Sequence, residues 1–158
     1  MAQYTNKGYG GYDKSRQGDS PRQGFQNGRN FSTDEEYTPK ALPLPTDYVD
    51  KAAEIMKTCH SYISSSKLRN ILSMVSGIYN SERVGGEELS EASQNSLQML
   101  RVRIIYEYGR NDNNFKTFIA RTHILDHLLA VGKDRGKFID YAHYLEAIVA
   151  YHKFYGDK

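Results

Sequence analysis

Between Ser66 and Tyr79 the apolar residues Leu68, Ile71, Leu72, Val75, Ile78 and Tyr79 fall three and four apart. That spacing gathers them on one side of an α-helix and would scatter them over both faces of a strand. The helical period recurs downstream, whereas no segment alternates with period two and no hairpin turn lies between strand-like runs. A chain patterned this way reads as all-α. The other face of the same segment is unusual. It carries Ser66, Asn70, Ser73 and Gly77 and no acidic residue, and its only charges, Lys67 and Arg69, sit on the two shoulders of the apolar stripe. Solvated helix faces are normally crowded with Glu and Lys. This one is cleared for the close approach of either another helix or an anionic backbone.

Capping residues set the expected boundaries. Thr46 is a candidate N-cap for a first helix over Asp47–His60, with Asp47 and Asp50 suited to its positive end. Ser64 or Ser65 caps a second that ends near Gly85 and Gly86, and Ser90 caps a third that reads through to Gly109. Asn113 or Asn114 opens a fourth, which turns Phe115, Phe118, Ile119, Leu125, Leu128 and Leu129 inward and stops at Gly132. A fifth spans roughly Arg135 to Tyr155. The expectation is a compact bundle of five helices over residues 42–158.

Residues 1–41 differ in kind. The first thirty hold six glycines, the aromatics Tyr4, Tyr9, Tyr12 and Phe25, and five basic against two acidic residues, so 5 − 2 gives +3. Such a segment buries too little apolar surface to offset its ordering entropy and reads as disordered. Interleaved Gly, Arg and aromatic residues can stack on single-stranded RNA bases, but a merely solvated tail has the same composition. Pro39, Pro43 and Pro45 then mark a stiff linker.

At 158 residues the chain is one domain's worth of core. No apolar run approaches the roughly 20 residues needed to cross a bilayer, so no membrane association is expected, and the N-terminus lacks the apolar centre of a secretory signal. Cys59 is the lone cysteine, which suits a reducing cytoplasm. A formal net charge of +2 is too weak to imply nucleic acid by itself, so the placement of the charges matters more than their sum.

Arg103 and Arg110 are seven apart, two turns along one side of the third helix, while Arg101 sits elsewhere on that cylinder. Aligned guanidiniums beside apolar surface can grip phosphates bidentately. Glu107, four after Arg103 and three before Arg110, offers both of them intrahelical ion pairs instead. Lys133, Arg135 and Lys137 surround the Gly132–Gly136 turn at the start of the fifth helix, either as a phosphate cradle or as solvated loop charges beside Asp134. The fifth helix has a second aromatic stripe, Tyr144, Tyr151 and Tyr155, which either the bundle or another protein must cover.

Catalytic patterns are missing. His123 and His127 can share a face with Asp126, but Ile124 stands where a zinc hydrolase needs Glu, and third ligands could come only from His60, His143 or His152. His143-Tyr-Leu-Glu146 reverses the order used by di-iron bundles. Cys59 and His60 are sequence neighbours and point apart on a helix. With no phosphate-binding loop, dinucleotide fingerprint or nucleophile elbow, neither enzymatic activity nor a cofactor nor a bound metal is expected.

Three stretches together carry a resemblance: Ser66-Lys-Leu-Arg-Asn-Ile-Leu-Ser73, Leu100-Arg-Val-Arg-Ile-Ile-Tyr-Glu-Tyr-Gly-Arg110 and Tyr144-Leu-Glu-Ala-Ile-Val-Ala-Tyr-His-Lys-Phe-Tyr-Gly156, with Gly-Lys-Asp-Arg at 132–135 between the last two. Over roughly residues 46–156 the chain resembles the small helical subunit of the type III-A CRISPR effector, the Csm complex. The resemblance implies a non-catalytic RNA-binding subunit that stacks in several copies along the groove holding the crRNA–target RNA duplex, beside the backbone subunit and the large polymerase-like subunit. It implies target RNA contacts by Lys67, Arg69, Arg101, Arg103 and Arg110, and by Lys133, Arg135 and Lys137. The glycine-, tyrosine- and arginine-rich first 40 residues depart from the family pattern. A helical protein–protein adaptor without RNA contact is the competing expectation.

Overall fold

The computed structural model describes residues 37–156. The tail expected over most of residues 1–41 lies largely outside them. Six α-helices and one turn of 3₁₀ helix follow in order: α1 (Tyr48–Cys59), the 3₁₀ turn (His60–Tyr62), α2 (Ser65–Ser81), α3 (Glu91–Gly109), α4 (Asn113–Thr122), α5 (Ile124–Val131) and α6 (Arg135–Gly156). The described residues form no sheet; one isolated bridge joins Glu88 to Asp134. The helical period therefore predicts the architecture correctly.

The longest helix is also the most central. With 22 residues, α6 is about 33 Å long, and it packs against α1, α2 and α5. It buries Phe138, Tyr141, Ala142, Tyr144, Leu145 and Ile148. The second aromatic stripe is thus covered largely from within the chain. Tyr144 is buried and donates its hydroxyl to the Thr122 carbonyl at 2.7 Å, while half-buried Tyr151 and Tyr155 stack on each other with centroids 6.2 Å apart. Burial drives the Tyr144 phenol far above its ordinary pKa, so it stays a donor.

Some boundaries differ from expectation, and at the start of α4 and the end of α2 a side chain intervenes. Asp47 rather than Thr46 precedes α1, and Asp112 caps α4, its carboxylate accepting from the Asn114 and Phe115 amides at 3.1 Å each. Ser64 and Ser90 cap α2 and α3 as expected, accepting from Lys67 N and Ser93 N at 3.2 Å. Yet α2 stops at Ser81, ahead of the glycines, because Glu82 turns inward. Its buried carboxylate accepts from Ser90 N at 3.0 Å and Ser90 Oγ at 2.6 Å and faces Arg135 Nε at 3.5 Å. The Ser90 hydroxyl above all holds the Glu82 carboxyl below the usual carboxylate range.

The expected fourth helix is divided. His123 adopts a left-handed backbone conformation, φ 53°, ending α4 and starting α5. The turn lets two short helices bury Phe115, Phe118 and Ile119 on one side and Ile124, Leu125 and Leu128 on the other. Helical spacing continues across the break, so periodicity alone merges the two. Asp126 then organises the segment ahead of α1. It accepts from His123 Nδ1 at 2.9 Å, Tyr37 Oη at 2.9 Å and Lys40 N at 3.0 Å. Leu42 N donates to the Asp126 carbonyl at 3.1 Å, and His127 Nδ1 donates to the Leu42 carbonyl at 2.8 Å. Residues 37–42, expected as tail and stiff linker, form an extended strap tied to the start of α5.

Candidate nucleic-acid interface

Helices α2 and α3 pack together and leave an open groove of about 860 Å³ between them. Its α2 wall is made by Ser64, Ser66, Lys67, Asn70, Ser73 and Met74, and its α3 wall by Met99, Val102, Arg103, Tyr106, Glu107 and Arg110. The small, uncharged face of α2 therefore lines a concavity. The α2 residues on the opposite side, Leu68, Ile71, Val75 and Ile78, hold the helix to the core, with Ile71 also reaching the groove floor. On α3 the arrangement repeats: Leu97, Leu100 and Ile104 are buried, and Met99, Val102, Ile105 and Tyr106 are exposed.

One end of the groove is ionic. Glu107 is buried, its side chain 6 % exposed, and receives Arg103 Nη2 at 3.3 Å, Arg110 Nη1 at 3.4 Å and Lys67 Nζ at 3.7 Å. Lys67 also meets Asp112 Oδ2 at 3.0 Å and lies 4.9 Å from the centroid of the Phe115 ring. The Phe115 amide, followed by Lys67, holds the Asp112 carboxyl below its ordinary range. Three cations against two carboxylates leave a formal +1.

These cations are not equivalent. The Lys67 side chain is 26 % exposed, and those of Arg103 and Arg110 are 51 % and 60 %. Each guanidinium uses one nitrogen on Glu107 and has five N–H donors to offer. Both thus keep donors for an anion in the groove, while Lys67 serves mainly to join α2 to the ionic end of α3. The intrahelical pairs allowed by the spacing of Glu107 are present, and they aim the arginines without saturating them.

The other basic residues stand apart. Arg69 and Arg101 are exposed, and neither lines the groove. Lys133 and Lys137 are exposed at the turn before α6. Between them Arg135 is drawn in, 13 % exposed, with Nη1 donating to the Gly85 and Gly86 carbonyls at 3.2 and 3.4 Å and Nε beside Glu82. The nearby α6 N-terminus is occupied by Asp134, whose Oδ1 accepts from Lys137 N at 2.8 Å. The chain's own carboxylate stands where a phosphate cradle would receive its guest.

Histidines serve the scaffold. His123 and His127 hold Asp126 and Leu42, His60 Nδ1 donates to Met56 O at 3.1 Å, and His152 Nε2 donates to Ile63 O at 3.0 Å. Among the described residues no three His, Cys, Asp or Glu side chains are grouped to hold a metal ion. Nor is any helix among them long and apolar enough to cross a membrane. Sequence reasoning missed two groove features. Tyr106 stands three after Arg103 and four before Arg110, a spacing that would have placed all three on one face. The reach of Lys67 to Glu107 crosses helices and has no such signal.

The family model described as Csm2 Type III-A matches residues 44–158. Three curated relatives carry the name CRISPR system Cms protein Csm2. That of Enterococcus italicus is 38 % identical over 96 residues, 59 % of this chain and 68 % of its own. The Streptococcus thermophilus protein is 32 % identical over 124 residues, 75 % of this chain and 98 % of its own. The Mycobacterium tuberculosis protein is 29 % identical over 121 residues, 73 % and 96 % of the two chains. The matched span contains every helix of the bundle and both walls of the groove. On this extent of similarity the chain belongs to the Csm2 type III-A family.

Proposed function

We propose that this protein is a non-catalytic, RNA-binding structural subunit of a cytoplasmic type III-A Csm interference complex. It stacks in several copies beside the backbone subunit and the large polymerase-like subunit, and contacts the backbone of target RNA in the crRNA–target groove. The observation that carries the reading is the α2–α3 groove, whose small polar wall faces two half-exposed guanidiniums aimed by a buried carboxylate. A subunit that must accept any guide–target pair should read phosphate and shape rather than base edges, and repetition along the filament multiplies a few contacts per copy. Arg103 and Arg110 are the principal contacts. Exposed Arg69, Arg101, Lys133 and Lys137 supply secondary ones or meet neighbouring subunits. Arg135 and Lys67 contribute positive potential from partly covered positions.

The test is target RNA retention by the assembled complex carrying Arg103→Gln with Arg110→Gln, measured against salt. Losing two phosphate contacts should lower the slope of log K on log salt by roughly 1.4–1.8 for each copy engaged, about 0.7 per phosphate on a single strand and about 0.9 on a duplex. An unchanged slope with intact assembly rejects the reading. The exposed apolar residues Met99, Val102 and Ile105 favour a second one, a helical adaptor whose arginines serve only ion pairs. Crosslinking of target RNA in the assembled complex separates the two, since an adaptor yields no adduct on this chain.

A further inference from the structure

Tyr106 lies on the groove wall with 60 % of its surface exposed. Among the described residues its ring stacks on nothing and its hydroxyl has no hydrogen-bond partner. Large aromatic side chains usually gain stability by burial, and the flanking Tyr108 does so against Tyr37, ring centroids 5.1 Å apart. Position explains the difference. Arg103, Tyr106 and Arg110 fall at i, i + 3 and i + 7, one face of α3, with the two arginines about 10 Å apart along the axis. The ring therefore sits between two guanidiniums, opposite Ser66, Asn70 and Ser73 on α2.

We propose that Tyr106 is a stacking platform for an unpaired nucleobase of the target strand before it pairs with the guide, and that the α2–α3 groove thus binds single-stranded RNA. The inference rests on the RNA-binding reading above and deepens it. Every base has a π-face, so an aromatic platform adds affinity without sequence preference, as a partner of arbitrary guides requires. The flanking guanidiniums hold the adjoining phosphates, and the small hydroxyl and amide side chains of α2 admit the sugar. Charge favours RNA as the guest. The ring has a cation on either side along its own face and a net positive cluster at its end, which attract a phosphate backbone.

The experiment uses the full chain with oligoadenylate as single strand and a mixed-sequence RNA duplex as control. Tyr106→Ala should weaken oligoadenylate binding roughly 5- to 150-fold, the range of one lost base–aromatic stack. Its salt slope and its binding to the duplex should not change, and Tyr106→Phe should retain affinity. The chain has no tryptophan, so Tyr106→Trp gives a single indole whose emission should be quenched as oligoadenylate binds. Native affinity in Tyr106→Ala, or an indole unquenched while RNA is bound, overturns the proposal. So does an indole whose emission shifts with protein concentration alone, which would mark the face as a contact between copies. If Arg103→Gln with Arg110→Gln weakens binding and Tyr106→Ala does not, stacking fails and the RNA reading stands. If neither does, the groove is not the RNA site.

Discussion

Replacing Glu107 with Gln should move stability and RNA affinity in opposite directions. The carboxylate is 6 % exposed and receives Arg103, Arg110 and Lys67 at 3.3, 3.4 and 3.7 Å. The arginine pairs are solvent-screened and worth about 0.2–1 kcal/mol each. The Lys67 contact is more covered, but Asp112 at 3.0 Å remains to hold that ammonium. Gln keeps the volume and one acceptor, so the net loss is about 1–2 kcal/mol, a fall in Tm of roughly 3–8 °C for a domain of this size. At the same time the cluster goes from three cations and two carboxylates, +1, to +2. One added unit charge about 6 Å from a phosphate is worth ~0.7 kcal/mol at the dielectric of water and ~3 kcal/mol at an effective value of 20. Binding should therefore tighten by roughly threefold to a hundredfold at low salt, and less near 0.15 M, where the Debye length is about 8 Å. Thermal melts and filter binding to single-stranded RNA at low and high salt measure both. Affinity that falls together with Tm would refute this prediction, because losing the charge that aims Arg103 and Arg110 would then outweigh the gain in positive potential.

The strap should be pH-sensitive. Burial lowers the His127 pKa below its ordinary 6.5, so the folded state disfavours the proton, and its stabilising contribution is complete above about 6.5 and lost as pH falls through the depressed value. Proteolytic cleavage near residues 37–44 should accelerate on acidification from pH 7 to 5, and His127→Gln should flatten that dependence. Burial pushes the Asp126 carboxyl up, but the bonds from His123, Lys40 N and Tyr37 outweigh it and leave it below 3.8, so the Asp126 contribution is lost only at lower pH. Arg135→Ala leaves the buried Glu82 carboxylate with its bonds from Ser90 but without its cation and should cost about 1–3 kcal/mol by denaturant unfolding. Adding Glu82→Gln should recover part of that loss, and strict additivity would contradict the pair. Tyr144→Phe removes the bond to the Thr122 carbonyl and should cost about 1–3 kcal/mol with no change in RNA binding.

Spacing and caps determined much of this protein. The apolar stripe at Leu68, Ile71, Val75 and Ile78 fixes the buried side of α2, Ser64 and Ser90 fix two helix starts, and Glu107 stands within reach of Arg103 and Arg110 on one helix. All are relations within one or two turns, and chain geometry dictates them wherever the helix lies. Tertiary packing decided the rest. It brought Lys67 to Glu107, drew Arg135 inward to Glu82, broke the helix at His123 and tied Tyr37 and Leu42 to α5. It also buried Tyr144 and left Tyr106 in the groove, although both are tyrosines in the interior of long helices. Those outcomes depend on how each helix is rotated and crossed against its neighbours. That is set by the summed packing of the whole core, and no local spacing encodes it.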